Sequence, residues 1–167
     1  MMSLRYCIIA LTLACSAFVQ SKSADTSAQR ADVVSTPNAI GEEIVVRTNV
    51  ERKAVGVPAL ARNAALMNAA QLQANQMAAR NIMAHQLAGA AYPSLDSRLA
   101  AVRYGARAAG ENVAEGHPSS AAVVAGWMSS PGHRANIVST HFTEMGAGAA
   151  TAKNGRRFYA QVFGTPR

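Results

Sequence analysis

The chain has 167 residues, half of them apolar and 15% charged, with a formal charge of +7 and only two cysteines. That length fits one domain, with enough chain left after any N-terminal processing to bury a real core. The positive charge does not carry a nucleic-acid function. Arg62, Arg80, Arg98, Arg103, Arg107, Arg156 and Arg157 are scattered, whereas a nucleic-acid module clusters its basic residues on one element and interleaves them with stacking aromatics. With four Phe, four Tyr and one Trp, none inside a basic run, what remains is a basic surface suited to anionic envelopes or lipids.

At the N-terminus, Met1 to Arg5 carries one positive charge and leads into the apolar run Cys7-Ile8-Ile9-Ala10-Leu11-Thr12-Leu13-Ala14-Cys15, fading by Val19. This is the layout of a secretory signal peptide, expected over residues 1–21, and it is too short for a permanent membrane anchor. Secreted or periplasmic localisation follows, and loss of Arg5 with the segment leaves about +6. Both cysteines fall inside it, so the mature domain has no disulfide and depends on packing. Leu13-Ala14-Cys15 also reads as a lipobox, although Thr12 replaces the usual larger aliphatic residue. On that alternative Cys15 is acylated and the protein is an outer-membrane lipoprotein with peripheral membrane attachment.

Residues 22–37, rich in Ser, Ala, Thr and Gln, read as a disordered tether, and the domain is expected over 38–167. Ile40, Ile44, Val45 and Val50 predict a first helix of about 15 residues, stopping near Gly56 and Pro58. Asn63 is placed to cap a long second helix to about Ile82, with Leu66, Ala69, Ala70 and Met77 on one stripe and Gln73 interrupting it. Its alanines imply close approach of a neighbouring layer. Ser94 or Asp96 opens a shorter helix through Leu99, Ala101 and Val102, ending at Gly105.

After Gly110 a short extended segment around Asn112-Val113-Ala114 is expected, then a helix from about Ser119 with Ala121, Val124, Trp127 and Met128 on its apolar face, ended by Pro131-Gly132. Phe142–Thr151 and Arg156–Phe163 read as strands. Asn154-Gly155 between them signals a two-residue hairpin turn with positive φ at both central positions. Helices followed by an antiparallel hairpin give an α+β layered domain.

The last third of the chain is least like average sequence. It holds Gly110-Glu111-Asn112, then Trp127-Met128-Ser129-Ser130-Pro131-Gly132-His133-Arg134-Ala135-Asn136, then Phe142 to Gly148 and Gln161-Val162-Phe163-Gly164. These GEN, W-x-x-SPGHR-x-N and QVFG segments resemble the CAP superfamily of cysteine-rich secretory proteins, antigen 5 and pathogenesis-related proteins, in its bacterial SCP-like branch. Thr48-Asn49-Val50-Glu51-Arg52 and Met83-Ala84-His85 extend the resemblance to roughly residues 38–166. It implies a three-layer α-β-α sandwich closing on a C-terminal antiparallel hairpin.

The resemblance also implies that His85, Glu111 and His133 meet in a cleft. Two imidazoles and a carboxylate can hold Zn²⁺ or another divalent cation if they converge on one point. Structural roles are the alternative, with Glu111 accepting backbone N–H bonds in a turn and His133 hydrogen-bonded beneath the hairpin. Relatives often place a second Glu three residues beyond the Trp; here that position is Ser130, so the cleft loses a charge and a ligand. His141 and Glu144 are candidate substitutes, although strand alternation can also point Glu144 to solvent. Trp127 reads as core before ligand platform, and His117 as a surface residue in a polar turn.

Hydrolytic signatures are missing: there is no G-x-S-x-G elbow and no cysteine nucleophile in the mature chain. Ser129 or Ser130 beside His133 makes a nucleophile–base pair only if Glu111 orients the base. The expectation is therefore a monomeric exported domain that binds an extracellular or envelope ligand, lipid among the candidates. A metal-dependent hydrolase with Glu111 as general base and a structural envelope module are the alternatives.

Overall fold

The computed structural model describes residues 37–167; the expected signal segment, the tether up to residue 36, Cys7 and Cys15 lie outside the described residues. Helix α1 spans Pro37–Ala54, and its buried face is Ile44, Val45, Thr48 and Arg52, an i, i+4, i+8 stripe. Val50, expected on that face, is 61% exposed. The missing apolar positions are taken by polar residues that carry their own partners. Arg52 donates to the carbonyls of Pro58, Ile137 and Ser139, each at 2.7 Å.

Strand β1 is the two-residue Ala61–Arg62, too short to announce itself in the sequence. Helix α2, Ala64–Arg80, starts as expected: the Asn63 side-chain oxygen accepts from the N–H of Ala65 at 2.8 Å and of Leu66 at 3.1 Å. Its buried stripe is Leu66, Ala69, Ala70, Gln73 and Met77. Helix α3, Leu95–Ala101, opens on a capping box between Ser94 and Ser97. It ends at Arg103 rather than Gly105. Arg103 sits at φ 56°, its N–H bonding Ala100 O and that of Tyr104 bonding Leu99 O, the paired bonds of a Schellman end.

Strand β2 runs Ala106–Glu115, beginning four residues before Gly110. Helix α4, Ser120–Ser129, buries Val123, Val124 and Trp127, while Ala121 is exposed. Pro131-Gly132 does not end the helical region. Pro131 is the first residue of a further helix, α5, Pro131–Val138, because a proline whose missing N–H costs nothing at N1 starts a helix as readily as it stops one. Strands β3, Glu144–Thr151, and β4, Arg157–Pro166, form the expected antiparallel hairpin. Its turn differs from the two-residue form: only Gly155 has positive φ, 83°, and the N–H of Gly155 bonds Ala152 O. Lys153, Asn154 and Gly155 make the three-residue loop in which a type I turn is followed by a left-handed residue.

The sheet order is β1-β3-β4-β2, with β1 parallel to β3 and the other pairs antiparallel. Alternation along β4 divides the core. Tyr159 and Phe163 pack with Ile44, Trp127 and Ile137 of α1, α4 and α5. Phe158, Ala160 and Val162 pack with Leu66, Met77 and Leu99 of α2 and α3. The result is the α-β-α sandwich, and α2 approaches as closely as its alanines implied. A Cβ on Gly146 would fall on the backbone of Leu66 and Met67, so this position of β3 admits no side chain.

Candidate functional site

Strand β2 is an edge strand, paired only with β4, and side chains of α4 and α5 close on its free side. Two outward carbonyls are taken by side chains. Trp127 Nε1 of α4 donates to Val113 O at 3.2 Å, and Asn136 Nδ2 of α5 donates to Glu111 O at 3.2 Å. Asn112 fastens α5 more firmly, donating to His133 O at 3.1 Å and Gln161 Oε1 at 3.2 Å while accepting from Asn136 at 2.9 Å. An edge closed by helices and side-chain donors does not invite another strand. It does leave a cavity of about 330 Å³ lined by Met83, Val113, Trp127, Ser130, His133 and His117, with Ala114, Glu115 and Gly126 completing it.

Beside this cavity stands the charged cluster. Glu111 projects from β2 toward α3. Its Oε2 lies 2.6 Å from Arg98 Nη2 and its Oε1 lies 3.0 Å from His85 Nδ1. Arg98 has no exposed side-chain surface and Glu111 has 4%, whereas His85, on the loop between α2 and α3, is 56% exposed. Loop backbone alone does not fix His85. Gln73 of α2 donates to Ala84 O and, at 3.4 Å, to His85 O; Arg98 reaches the same His85 carbonyl at 3.5 Å. Glu111 therefore bonds two side chains, not the backbone N–H groups of a turn.

The pKa values of the two imidazoles are shifted in opposite directions. The Glu111 carboxylate accepting from Nδ1 raises the His85 pKa against the opposing effects of burial and Arg98. Burial lowers that of His133, and the neighbouring His85 charge lowers it further. His133 occupies the first turn of α5 and lines the cavity with Ser130, the residue joining α4 to α5, whose side chain makes no capping bond. Ser129 Oγ is spent on its own helix, donating to Ala125 O at 2.9 Å.

The residues present do not fit a divalent cation held by His85, Glu111 and His133 together. Both oxygens of Glu111 are engaged, one by a buried guanidinium. An ion ligated to that carboxylate would compete with the buried Arg98 guanidinium for the same negative charge and repel it. Among the described residues no group of three or more His, Cys, Asp or Glu has an arrangement able to hold a metal. The candidate substitutes lie elsewhere. Glu144 accepts from Tyr104 Oη at 2.8 Å and Asn63 Nδ2 at 3.1 Å, tying the β3 edge to the start of α2. His141 is exposed, its carbonyl taken by Thr165.

Arg98 and Gln73 were not singled out from the sequence as site residues, although a signal was present. Leu95, Arg98, Leu99 and Val102 follow helical i, i+3, i+4, i+7 spacing, which puts a charge on the buried stripe of α3 and demands a partner.

A sheet between two helical layers, with a histidine cleft over its edge strand, defines a domain of the SCP type. The family profile described as CAP, cysteine-rich secretory protein family, matches residues 45–163, and the chain belongs to that family. It is 30% identical over 131 residues to the uncharacterized protein YkwD of Bacillus subtilis, covering 77% of this chain and 50% of that protein, so it spans about half the length of this curated relative. Among solved structures it is similar to an extracellular protein containing a SCP domain from Bacillus anthracis. That match has 30% identity and a TM-score of 0.68, covering 77% of this chain and 41% of the other. An outer surface protein of Borrelia burgdorferi shares the fold at 18% identity, with a TM-score of 0.68 over 75% of this chain and 92% of that one.

Proposed function

We propose that this domain works by binding a small extracellular or envelope ligand, with an apolar body and a polar end, in the cavity over the free side of β2. The observation that carries the reading is the composition of that cavity. Met83, Val113, Ala114 and Trp127 give it an apolar wall, and Ser130, His133, Glu115 and His117 give it polar groups, the usual division of labour in a small-molecule site. A lipid-like molecule matches that division. The extracellular description of the Bacillus anthracis relative and the signal-like residues 1–21 support action outside the cytoplasm. Among the described residues no helix is long and apolar enough to cross a membrane.

Hydrolysis gains no support from the geometry. The general base it needs, Glu111, is bound to Arg98 and His85, and Ser129 does not address His133. The test is to purify the exported protein without detergent, extract it with organic solvent and identify released molecules by mass spectrometry. Binding predicts a near-stoichiometric apolar molecule that is depleted in Met83→Asp, a change at a half-exposed position of the cavity wall. Equal, trace recovery from both proteins, each shown to be folded, would count against the reading.

A further inference from the structure

Buried charge beside the cleft needs a function, since an ionised side chain without water survives only with a matched partner. Arg98 is fully buried and its strongest bond is to Glu111 Oε2; its contacts with Tyr92 O and His85 O are long, 3.4 and 3.5 Å. Its Nε has no hydrogen-bond partner, and neither has Gln73 Oε1. A guanidinium that leaves one donor unsatisfied in the core is not optimised as a structural staple. Arg52 is the comparison within this chain: equally buried, it makes three short bonds to backbone carbonyls. What Arg98 does satisfy is the carboxylate.

We infer that Arg98 is the resident cation of the cleft: it takes the place a divalent ion would need at Glu111, and through Glu111 it positions His85, so that the cleft works without a metal. The chain of contacts is direct. Arg98 fixes one oxygen of Glu111; the other oxygen accepts the proton of His85 Nδ1, which in the neutral imidazole leaves the lone pair on Nε2. Gln73, holding the carbonyls of Ala84 and His85 from α2, sets the backbone of the same residue. Arg98 and Gln73 are positioning residues, and the imidazole is what they position. This inference does not depend on the identity of the cavity ligand.

The test titrates Zn²⁺ into the chelator-stripped wild type and into Glu111→Gln by calorimetry, and reads the His85 tautomer by ¹⁵N NMR. The expected result is that Zn²⁺ binds neither protein, or binds both within twofold, and that neutral wild-type His85 carries its proton on Nδ1. Arg98→Lys, which keeps the charge but loses the planar fork, is expected to loosen this preference toward a mixture of tautomers. One saturable Zn²⁺ site weakened tenfold or more by Glu111→Gln would overturn the inference. So would wild-type His85 protonated on Nε2. If Glu111→Gln fails to fold, X-ray absorption on the Zn²⁺-loaded wild type decides: a carboxylate oxygen with two imidazoles around the ion refutes the inference, and no carboxylate upholds it.

Discussion

Replacing Arg98 by Met keeps an unbranched apolar stem in a fully buried slot and removes the guanidinium with its charge and hydrogen bonds. Glu111, with 4% of its side chain exposed, then keeps a single partner, His85, which is itself more than half exposed. Breaking a buried pair from one side costs about 3–5 kcal/mol, because the remaining charge stays desolvated. That is a large part of the 5–15 kcal/mol typical of a whole domain. With an m-value of about 1.5 kcal/mol/M in urea for a domain of this size, the midpoint falls by about 2–3 M. Glu111→Gln in the same background removes the stranded charge, so Arg98→Met/Glu111→Gln is less destabilised than the sum of the single changes, by about 2 kcal/mol or more. Urea unfolding followed by Trp127 fluorescence and far-UV circular dichroism measures all four proteins. A cost below about 1.5 kcal/mol for Arg98→Met, or simple additivity, would refute the view that Arg98 exists for Glu111.

Arg103→Gly should stabilise the domain by about 1 kcal/mol, read as a higher urea midpoint, since a side chain at φ 56° is strained where glycine is not. Gly146→Ala should cost at least about 3 kcal/mol, because its methyl group meets the backbone of α2 rather than a side chain that can turn away. The histidines should titrate in a fixed order in NMR, His133 below the ordinary imidazole value and His85 above it. His85 then contributes stability that is full below its unfolded pKa and is lost as pH rises through its raised folded value. His133 contributes stability present above its unfolded pKa and lost as pH falls through its lowered one. His85→Ala should bring the His133 value up, by removing the neighbouring charge.

Where a residue's role is local, the sequence was enough to read it. Asn63 caps α2 because its side chain reaches N–H groups two and three residues ahead, a geometry contained in the chain itself. The alanines of α2 likewise announced the close approach of a neighbouring layer, which Gly146 of β3 supplies. Legibility stopped where one residue type serves two ends. Pro131 is as good a start for α5 as a stop for α4, and only packing of Ile137 in the core decides between them. Asn154-Gly155 names a turn but not the loop length, which depends on the register of β3 against β4. At the site, the resemblance pointed to His85, Glu111 and His133, of which the first two are in contact, and it was their partners that stayed hidden. Arg98, Gln73 and Glu111 come from α3, α2 and β2, and their convergence is a tertiary fact with no spacing to announce it.

The only tryptophan of the chain lines the cavity and is 1% exposed, so the binding reading can be tested with the protein's own fluorophore. A fatty acid brominated along its chain is titrated into the domain and into Met83→Asp, with the non-brominated acid as control. Occupation of the cavity predicts saturable quenching of Trp127 in the wild type, reversed by the non-brominated acid and weakened at least fivefold in Met83→Asp. Quenching that rises linearly without saturation, or that is the same in both proteins, would contradict a ligand-binding cavity over β2.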